Sequence, residues 1–133
     1  MLRIILFRTM VLYSTISEPS EVQITSQDEK MLEKVVACIE KYMSDPDLKI
    51  SKVSKHTGFS HPYLYRKIKS LTGQTVNEFI RTVRIQRASQ LLRTKRFTVA
   101  EVMNETGFTN HSYFSKCFRK IYQTSPKEYI QKA

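Results

Sequence analysis

The chain has 133 residues, with 22 Lys or Arg against 12 Asp or Glu, so its formal net charge is +10. This length suits one domain or two very small ones, and a hydrophobic content of 41% excludes disorder throughout. Its three glycines, at positions 58, 73 and 107, are too scattered for the clustered-glycine loops of common nucleotide-binding enzymes. The basic excess favours a polyanionic partner.

The two cysteines and three histidines form no recognisable metal or redox motif. Cys38 and Cys117 are far apart and lack a CxxC pattern, and the histidines lack an HExxH pattern. Each cysteine lies among apolar residues of a helical pattern, which predicts buried thiols in a reducing cytoplasm. We therefore expect no metal and no cofactor. No nucleophile and base pair indicates an enzyme either.

The first 27 residues differ in character from the rest of the chain. They begin with an apolar run, MLRIILFRTMVLY, which Arg8 interrupts and which is too short to cross a bilayer. A polar stretch containing Pro19 follows. We expect residues 1–27 to be a connector from an upstream region and residues 28–133 to form the folded domain.

Within the folded domain the charge is concentrated in the middle. Residues 28–48 hold three basic and six acidic side chains, and residues 97–133 hold five basic and three acidic ones. Residues 49–96 hold twelve basic side chains against the single acid Glu78, a net charge of +11. So many uncompensated charges repel one another unless an anion lies nearby, so this region is the predicted binding surface.

Four capping boxes divide the domain into helices. In each box a Ser or Thr is followed three residues later by Glu, so the two side chains can cap each other's backbone N–H groups. No convincing alternating strand pattern occurs after residue 28, which predicts an all-α fold of about seven helices. The four boxes are Ser26/Glu29, Thr75/Glu78, Thr98/Glu101 and Ser125/Glu128.

The chain also repeats itself. The pattern Ile50-x-x-Val53-x-x-x-Thr57-Gly58-Phe59-Ser60 returns 49 positions later, from Val99 to Thr109. From Leu64 onward the offset is 50, so one residue has been added at the start of the second copy's later helix. The sequence therefore contains two copies of a three-helix unit.

Each copy has the pattern of a helix-turn-helix. A short helix ends at Gly58 or Gly107, where glycine allows a left-handed turn, and Ser60 or Thr109 is the expected N-cap of the next helix. Neither outward face carries an acidic residue. The basic and hydroxyl groups on these faces can contact base edges and phosphates. The outward residues are Pro62, Tyr65, Arg66 and Lys69 in the first copy and His111, Ser112, Ser115, Lys116 and Arg119 in the second.

A long helix over residues 76–93 is predicted between the copies. Eighteen residues form a rod of about 27 Å, long enough to let two recognition helices enter major-groove segments about 34 Å apart. Its arginines at positions 81, 84, 87 and 93 are predicted to lie largely outward. Each can contact a phosphate or pair with an acid at position 45, 47, 101 or 105, and the sequence leaves both open.

Four ordered motifs resemble the AraC/XylS-type DNA-binding domain. They are RTVRIQRASQLL (81–92), VAEVMNETGF (99–108), SYFSKCFRK (112–120) and SPKEYI (125–130). Residues 28–73 are similar to the domain that ends hybrid two-component sensor/regulators. The resemblance implies one helix-turn-helix at 48–74, a linker helix at 75–94 and a second helix-turn-helix at 97–131. It also implies binding of promoter DNA, usually as an activator, with RNA polymerase as a further partner.

The resemblance also assigns residues to the DNA. Base contacts are implied for Pro62, Tyr65, Arg66, Lys69, Asn110, His111, Ser112, Ser115 and Lys116. Backbone contacts are implied for Ser60, His61, Tyr63, Lys67, Arg81, Thr109 and Arg119. Two departures from the family pattern, Gln123 in place of glycine and Met103 in place of a small residue, predict a looser second unit.

One alternative comes from a different class of protein. The helices can serve as a protein-interaction module whose basic surface provides only solubility. We expect the isolated domain to be a monomer and its parent protein to dimerise through upstream parts.

Overall fold

The structure, a computed structural model, describes residues 25–132. Within them lie seven α-helices and no strand, which confirms the all-α prediction. Most of the expected connector, residues 1–24, falls outside the described part, and the first helix begins at residue 26. The helices are α1 (Ser26–Lys41), α2 (Ile50–Thr57), α3 (His61–Thr72), α4 (Val76–Arg93), α5 (Val99–Glu105), α6 (His111–Tyr122) and α7 (Pro126–Lys132).

The described chain divides into two compact units. The first unit contains residues 25–38 and Lys49–Phe79, and the second contains Ile39–Leu48 and residues 80–132. The helix-turn-helix of α2 and α3 therefore lies in the first unit, and that of α5 and α6 in the second. The leading helix α1 supplies residues to both.

The core of the first unit is mainly aliphatic. Buried side chains of α1 occur at the helical spacing of three and four, as an amphipathic helix requires. On α3 the predicted inward residues Leu64, Ile68 and Leu71 are all buried. Completing this core are Met31, Leu32, Val35, Val36, Cys38, Val53, Val76 and Phe79.

The core of the second unit is rich in aromatic rings. The Phe118 ring lies 4.9 Å from the Tyr122 ring and 5.2 Å from the Tyr129 ring, centroid to centroid. Phe114 and Phe108 extend the cluster at 5.0 Å from each other. Their partners include Ile85, Ala88, Leu92, Val102, Met103 and Cys117. Cys38 and Cys117 are buried and form no disulfide, as predicted.

Two of the four capping boxes form as predicted. The Glu101 N–H donates to Thr98 Oγ1 (3.1 Å), and the Thr98 N–H donates to Glu101 Oε1 (2.9 Å). Thr75 and Glu78 exchange the same two hydrogen bonds at 3.2 Å each. These reciprocal bonds fix the starts of α5 and α4.

The box predicted from Ser26 and Glu29 is wrong by one residue. The Asp28 N–H donates to Thr25 Oγ1 (3.1 Å), and the Thr25 N–H donates to Asp28 Oδ2 (3.3 Å). The sequence TSQDE contains two overlapping pairs with the same spacing, and the earlier pair forms the cap.

The box at the start of α7 is only half formed. Ser125 Oγ accepts from the Glu128 N–H (3.2 Å), but the Glu128 carboxylate accepts instead from the Thr124 hydroxyl (3.1 Å). The predicted N-cap Thr109 is also wrong, because Asn110 Oδ1 accepts from the Tyr113 N–H (2.9 Å). The inserted residue thus lies before the cap of α6, and Asn110 takes the place that Ser60 has in α3.

The linker helix α4 corrects the prediction for Arg84. This side chain is buried instead of outward, and its guanidinium donates to the Gly107 carbonyl oxygen (3.1 Å) and the Asp45 carbonyl oxygen (2.6 Å). Burial lowers the pKa of Arg84, and the Asp45 carboxylate raises it. The bonds go to backbone carbonyls, so Arg84 is a structural residue of the second unit.

Candidate nucleic-acid interface

The turn between α2 and α3 is built from short side chains and one glycine. Thr57 Oγ1 donates to the Val53 carbonyl oxygen (2.7 Å), and Ser54 Oγ donates to the Phe59 carbonyl oxygen (2.6 Å). Gly58 adopts φ 82°, in the left-handed region that favours glycine. The turn redirects the chain, and three residues separate the end of α2 from the start of α3.

The first recognition helix, α3, presents the predicted outward face to solvent. Ser60 caps it by accepting from the Tyr63 N–H (3.2 Å), and Pro62 occupies the first turn, where no N–H is needed. The Tyr65 side chain is 57% exposed, the larger exposure of the two exposed large hydrophobic residues among those described. His61, Pro62, Arg66 and Lys69 are exposed with it.

Aromatic rings support the basic side chains of this face. The Arg66 guanidinium lies 5.9 Å from the centre of the Tyr63 ring, and that ring lies 5.2 Å from the Phe59 ring. A guanidinium over an aromatic face is favoured electrostatically. The Tyr63 ring therefore stabilises the position of the Arg66 guanidinium. At the end of the helix, Lys69 Nζ donates to the Gly73 carbonyl oxygen (3.2 Å).

Lys67 has a different environment from its neighbours. Its ammonium lies 3.0 Å from Asp28 Oδ1, at the first turn of α1. The bond from Lys67 is the largest cause that lowers the pKa of Asp28, and the bond from Thr25 adds to it. Lys67 was predicted to contact the DNA backbone, and the structure places it in this ion pair.

The second recognition helix, α6, also has an exposed face that carries basic residues. His111, Ser112, Lys116 and Arg119 are exposed, and Ser115 is half-buried. Thr109, just before the cap, is exposed, and the Asn110 side chain is engaged as the cap itself. This face provides hydroxyl, imidazole, ammonium and guanidinium groups.

Arg81 and Tyr113 meet in the second unit. The Arg81 guanidinium lies 5.8 Å from the centre of the Tyr113 ring, whose side chain is 46% exposed. Desolvation raises the pKa of Tyr113, and a bond with Cys117 raises it further. The predicted backbone contact Arg81 is thereby held beside the start of α6. Sequence analysis missed Tyr113, although its position repeats that of Tyr63.

The two departures from the family pattern do not disrupt the second unit. Gln123 takes the left-handed conformation itself (φ 60°, ψ 23°), and its N–H donates to the Arg119 carbonyl oxygen (2.8 Å). Met103 is buried in the core, and its carbonyl oxygen accepts from the Phe108 N–H (2.9 Å). The C-cap keeps the geometry of the cap at Gly73.

A family model described as a helix-turn-helix domain matches residues 53–132. The regulatory protein SoxS of Escherichia coli is 30% identical over 76% of this chain and 94% of its own length. The chain belongs to the AraC-type family of helix-turn-helix domains. It is thus a DNA-binding domain of the transcription-regulator class and not an enzyme, as predicted.

Two further proteins, one matched by sequence and one by structure, are similar to this AraC-type domain. The histidine kinase P4 of Formosa agariphila is 38% identical over 84% of the chain, which spans 8% of that protein's length. The structure of the DNA-binding domain of AdpA in complex with a target DNA matches with a TM-score of 0.65 and 26% identity, over 75% of this chain and 89% of that one. The kinase match supports the predicted two-component resemblance.

Among the described residues, no helix is long and apolar enough to span a membrane.

Proposed function

We propose that this AraC-type domain binds double-stranded promoter DNA in a sequence-specific way, as part of a bacterial transcription activator. The observation that carries the proposal is the pair of exposed recognition helices, each following a left-handed glycine turn and each lacking acidic residues. Groups on such faces match base edges and phosphates in the major groove. The AdpA structure, a fold neighbour of the chain, holds a target DNA.

The proposed base contacts come from the exposed residues of both helices, which enter adjacent major-groove segments. From α3 they are Pro62, Tyr65, Arg66 and Lys69, and from α6 and its cap they are Asn110, His111, Ser112, Ser115 and Lys116. The proposed backbone contacts are Ser60, His61, Tyr63, Arg81, Thr109 and Arg119. Because the two faces differ in residue type, the half-site they read is asymmetric.

We also propose a setting for this domain. Similarity to part of a histidine kinase supports a role as the output domain of a two-component regulator in the cytoplasm. RNA polymerase is the proposed second partner. The isolated domain is proposed to be a monomer and the parent protein a dimer, which light scattering of both would test.

The first test is selection of bound sequences from a pool of random duplexes, followed by mobility shifts at several salt concentrations. A selected duplex should bind more tightly than a random one at physiological salt, and affinity should fall steeply with salt because counterions are released from phosphates. Equal affinity for both duplexes would contradict sequence-specific binding. Absence of any shift would favour the protein-interaction module.

A pair of variants separates base reading from backbone binding. Arg66→Ala removes an exposed group of the proposed base-reading face, and a lost bidentate base contact costs discrimination worth about 1–3 kcal/mol at one base pair. Arg81→Ala should weaken binding to all sequences alike, because phosphates carry no sequence information. An unchanged selected sequence in Arg66→Ala would overturn the first assignment, and a changed selected sequence in Arg81→Ala would overturn the second.

A further inference from the structure

The ion pair between Asp28 and Lys67 joins the first turn of α1 to the first recognition helix. Lys67 Nζ lies 3.0 Å from Asp28 Oδ1, and the Asp28 side chain is only 8% exposed. The same carboxylate accepts from the Thr25 N–H, so the cap of α1 holds it in place. The Asp28 carboxylate thus caps the start of α1 and also forms the ion pair with a lysine of α3.

Lys67 is placed where a released ammonium can reach a DNA backbone. It lies one helical turn after Tyr63, which is a proposed backbone contact, and its side chain is 33% exposed. Residues four positions apart lie on the same flank of a helix. A lysine has a long flexible stem, so the ion pair, and not the fold of α3, determines where its charge lies.

We propose that Asp28 withholds Lys67 from the DNA backbone, so that the first turn of α1 is an autoinhibitory contact that limits affinity for all duplexes. The inference rests on the proposed function. Unwinding of the first turn of α1 removes the Thr25 bonds that position Asp28 and frees Lys67 to bind a phosphate.

The direction of the effect follows from counterion release. Each phosphate that a lysine neutralises steepens the slope of log affinity against log salt by about 0.9. One added contact therefore changes the ratio of affinities at 50 and 200 mM salt by about 3.5-fold. Phosphate contacts carry no sequence information, so the ratio of specific to random affinity stays constant.

Asp28→Asn is the main test, because asparagine keeps an oxygen for the Thr25 N–H but loses the charge. Mobility shifts should show tighter binding of both selected and random duplexes at low salt and a slope steeper by about 0.9. Lys67→Met should have the same slope as the wild type. The double variant, Asp28→Asn with Lys67→Met, should also have the wild-type slope. Glu33→Gln, a loss of one charge on the same helix, is the matched control and should leave the slope near the wild-type value.

Several outcomes would overturn the inference. If Lys67→Met flattens the slope by about 0.9, Lys67 already contacts a phosphate in the wild type. If Asp28→Asn weakens binding with no change in slope, the ion pair only holds the fold together. Circular dichroism of each variant checks that the helices are intact. A wild-type chain that shifts no duplex contradicts the proposed function itself, whereas wild-type binding with unchanged slopes contradicts only this inference.

Discussion

The two helix-turn-helix turns share a sequence pattern but differ in their surroundings. Around Gly58, no atom of the described residues beyond the adjoining chain lies within 4 Å of the point where a Cβ would stand. Around Gly107, the Met43 carbonyl oxygen lies 2.5 Å and Arg84 Nη1 lies 2.8 Å from that point. Both glycines have a positive φ, so the first is needed for its conformation alone and the second for its conformation and its small size.

The same contrast extends to the two recognition helices. Leu64 and Ile68 anchor α3 in an aliphatic core, whereas Phe114 and Phe118 anchor α6 in a cluster of rings. The turn of the second unit is also held by the buried guanidinium of Arg84, which donates to the Gly107 carbonyl oxygen. One sequence repeat has thus produced two units that differ in the side chains of their cores and in the packing around their turns.

The largest expected effect comes from adding a methyl group to each turn. Gly107→Ala places a Cβ against the Met43 carbonyl and the Arg84 guanidinium, so we expect a loss of more than about 3 kcal/mol in the free energy of unfolding. Gly58→Ala should cost only the left-handed strain, about 1–2 kcal/mol. Urea unfolding followed by circular dichroism measures both.

The glycine pair serves as its own control, since the substitutions are chemically identical. Equal losses of stability in Gly107→Ala and Gly58→Ala would show that crowding at Gly107 has no energetic consequence. The two turns would then differ in how closely atoms approach the glycine, but not in how much stability the glycine provides.

The next expected effect is on Arg84. Arg84→Met keeps the length of the side chain but removes its hydrogen bonds to Gly107 and Asp45, so we expect a loss of about 2–4 kcal/mol. Arg87→Met, on an exposed position of the same helix, should change stability by less than about 0.5 kcal/mol. Thermal unfolding compares them, and a similar small effect of both would contradict a structural role for Arg84.

Arg84 also shows where sequence reasoning fails. Helical periodicity places an arginine on a face, but the carbonyl groups that bury Arg84 lie 39 and 23 residues away in the chain. No local pattern contains that information, so the residue was predicted to lie outward. By contrast, the Thr98/Glu101 cap depends on residues three apart, and the sequence predicted it correctly.

The remaining errors come from degenerate local patterns. Two overlapping pairs compete for the start of α1, and spacing alone does not choose Thr25/Asp28 over Ser26/Glu29. The repeat indicates an inserted residue but does not show on which side of the helix cap it lies, so the pattern predicts Thr109 as the cap where the structure has Asn110. The exposed faces of α3 and α6 followed from periodicity, because amphipathic helices bury one side. The ion pair of Lys67 could not be predicted from periodicity, because its partner Asp28 lies 39 residues away.

The smallest expected effect concerns the ends of the two recognition helices. Gly73 and Gln123 adopt the same left-handed cap, and their N–H groups donate to the Lys69 and Arg119 carbonyl oxygens at 2.9 and 2.8 Å. Gln123 bears a steric strain that Gly73 does not, so Gln123→Gly should stabilise the second unit by about 0.5–1 kcal/mol after the entropy of the added glycine is counted. Gly73→Ala introduces that strain and should destabilise the first unit by about 1–2 kcal/mol, as expected for Gly58→Ala. Urea unfolding measures both changes, and a loss of stability in Gln123→Gly would mean that the glutamine side chain stabilises the cap by more than its backbone strain costs.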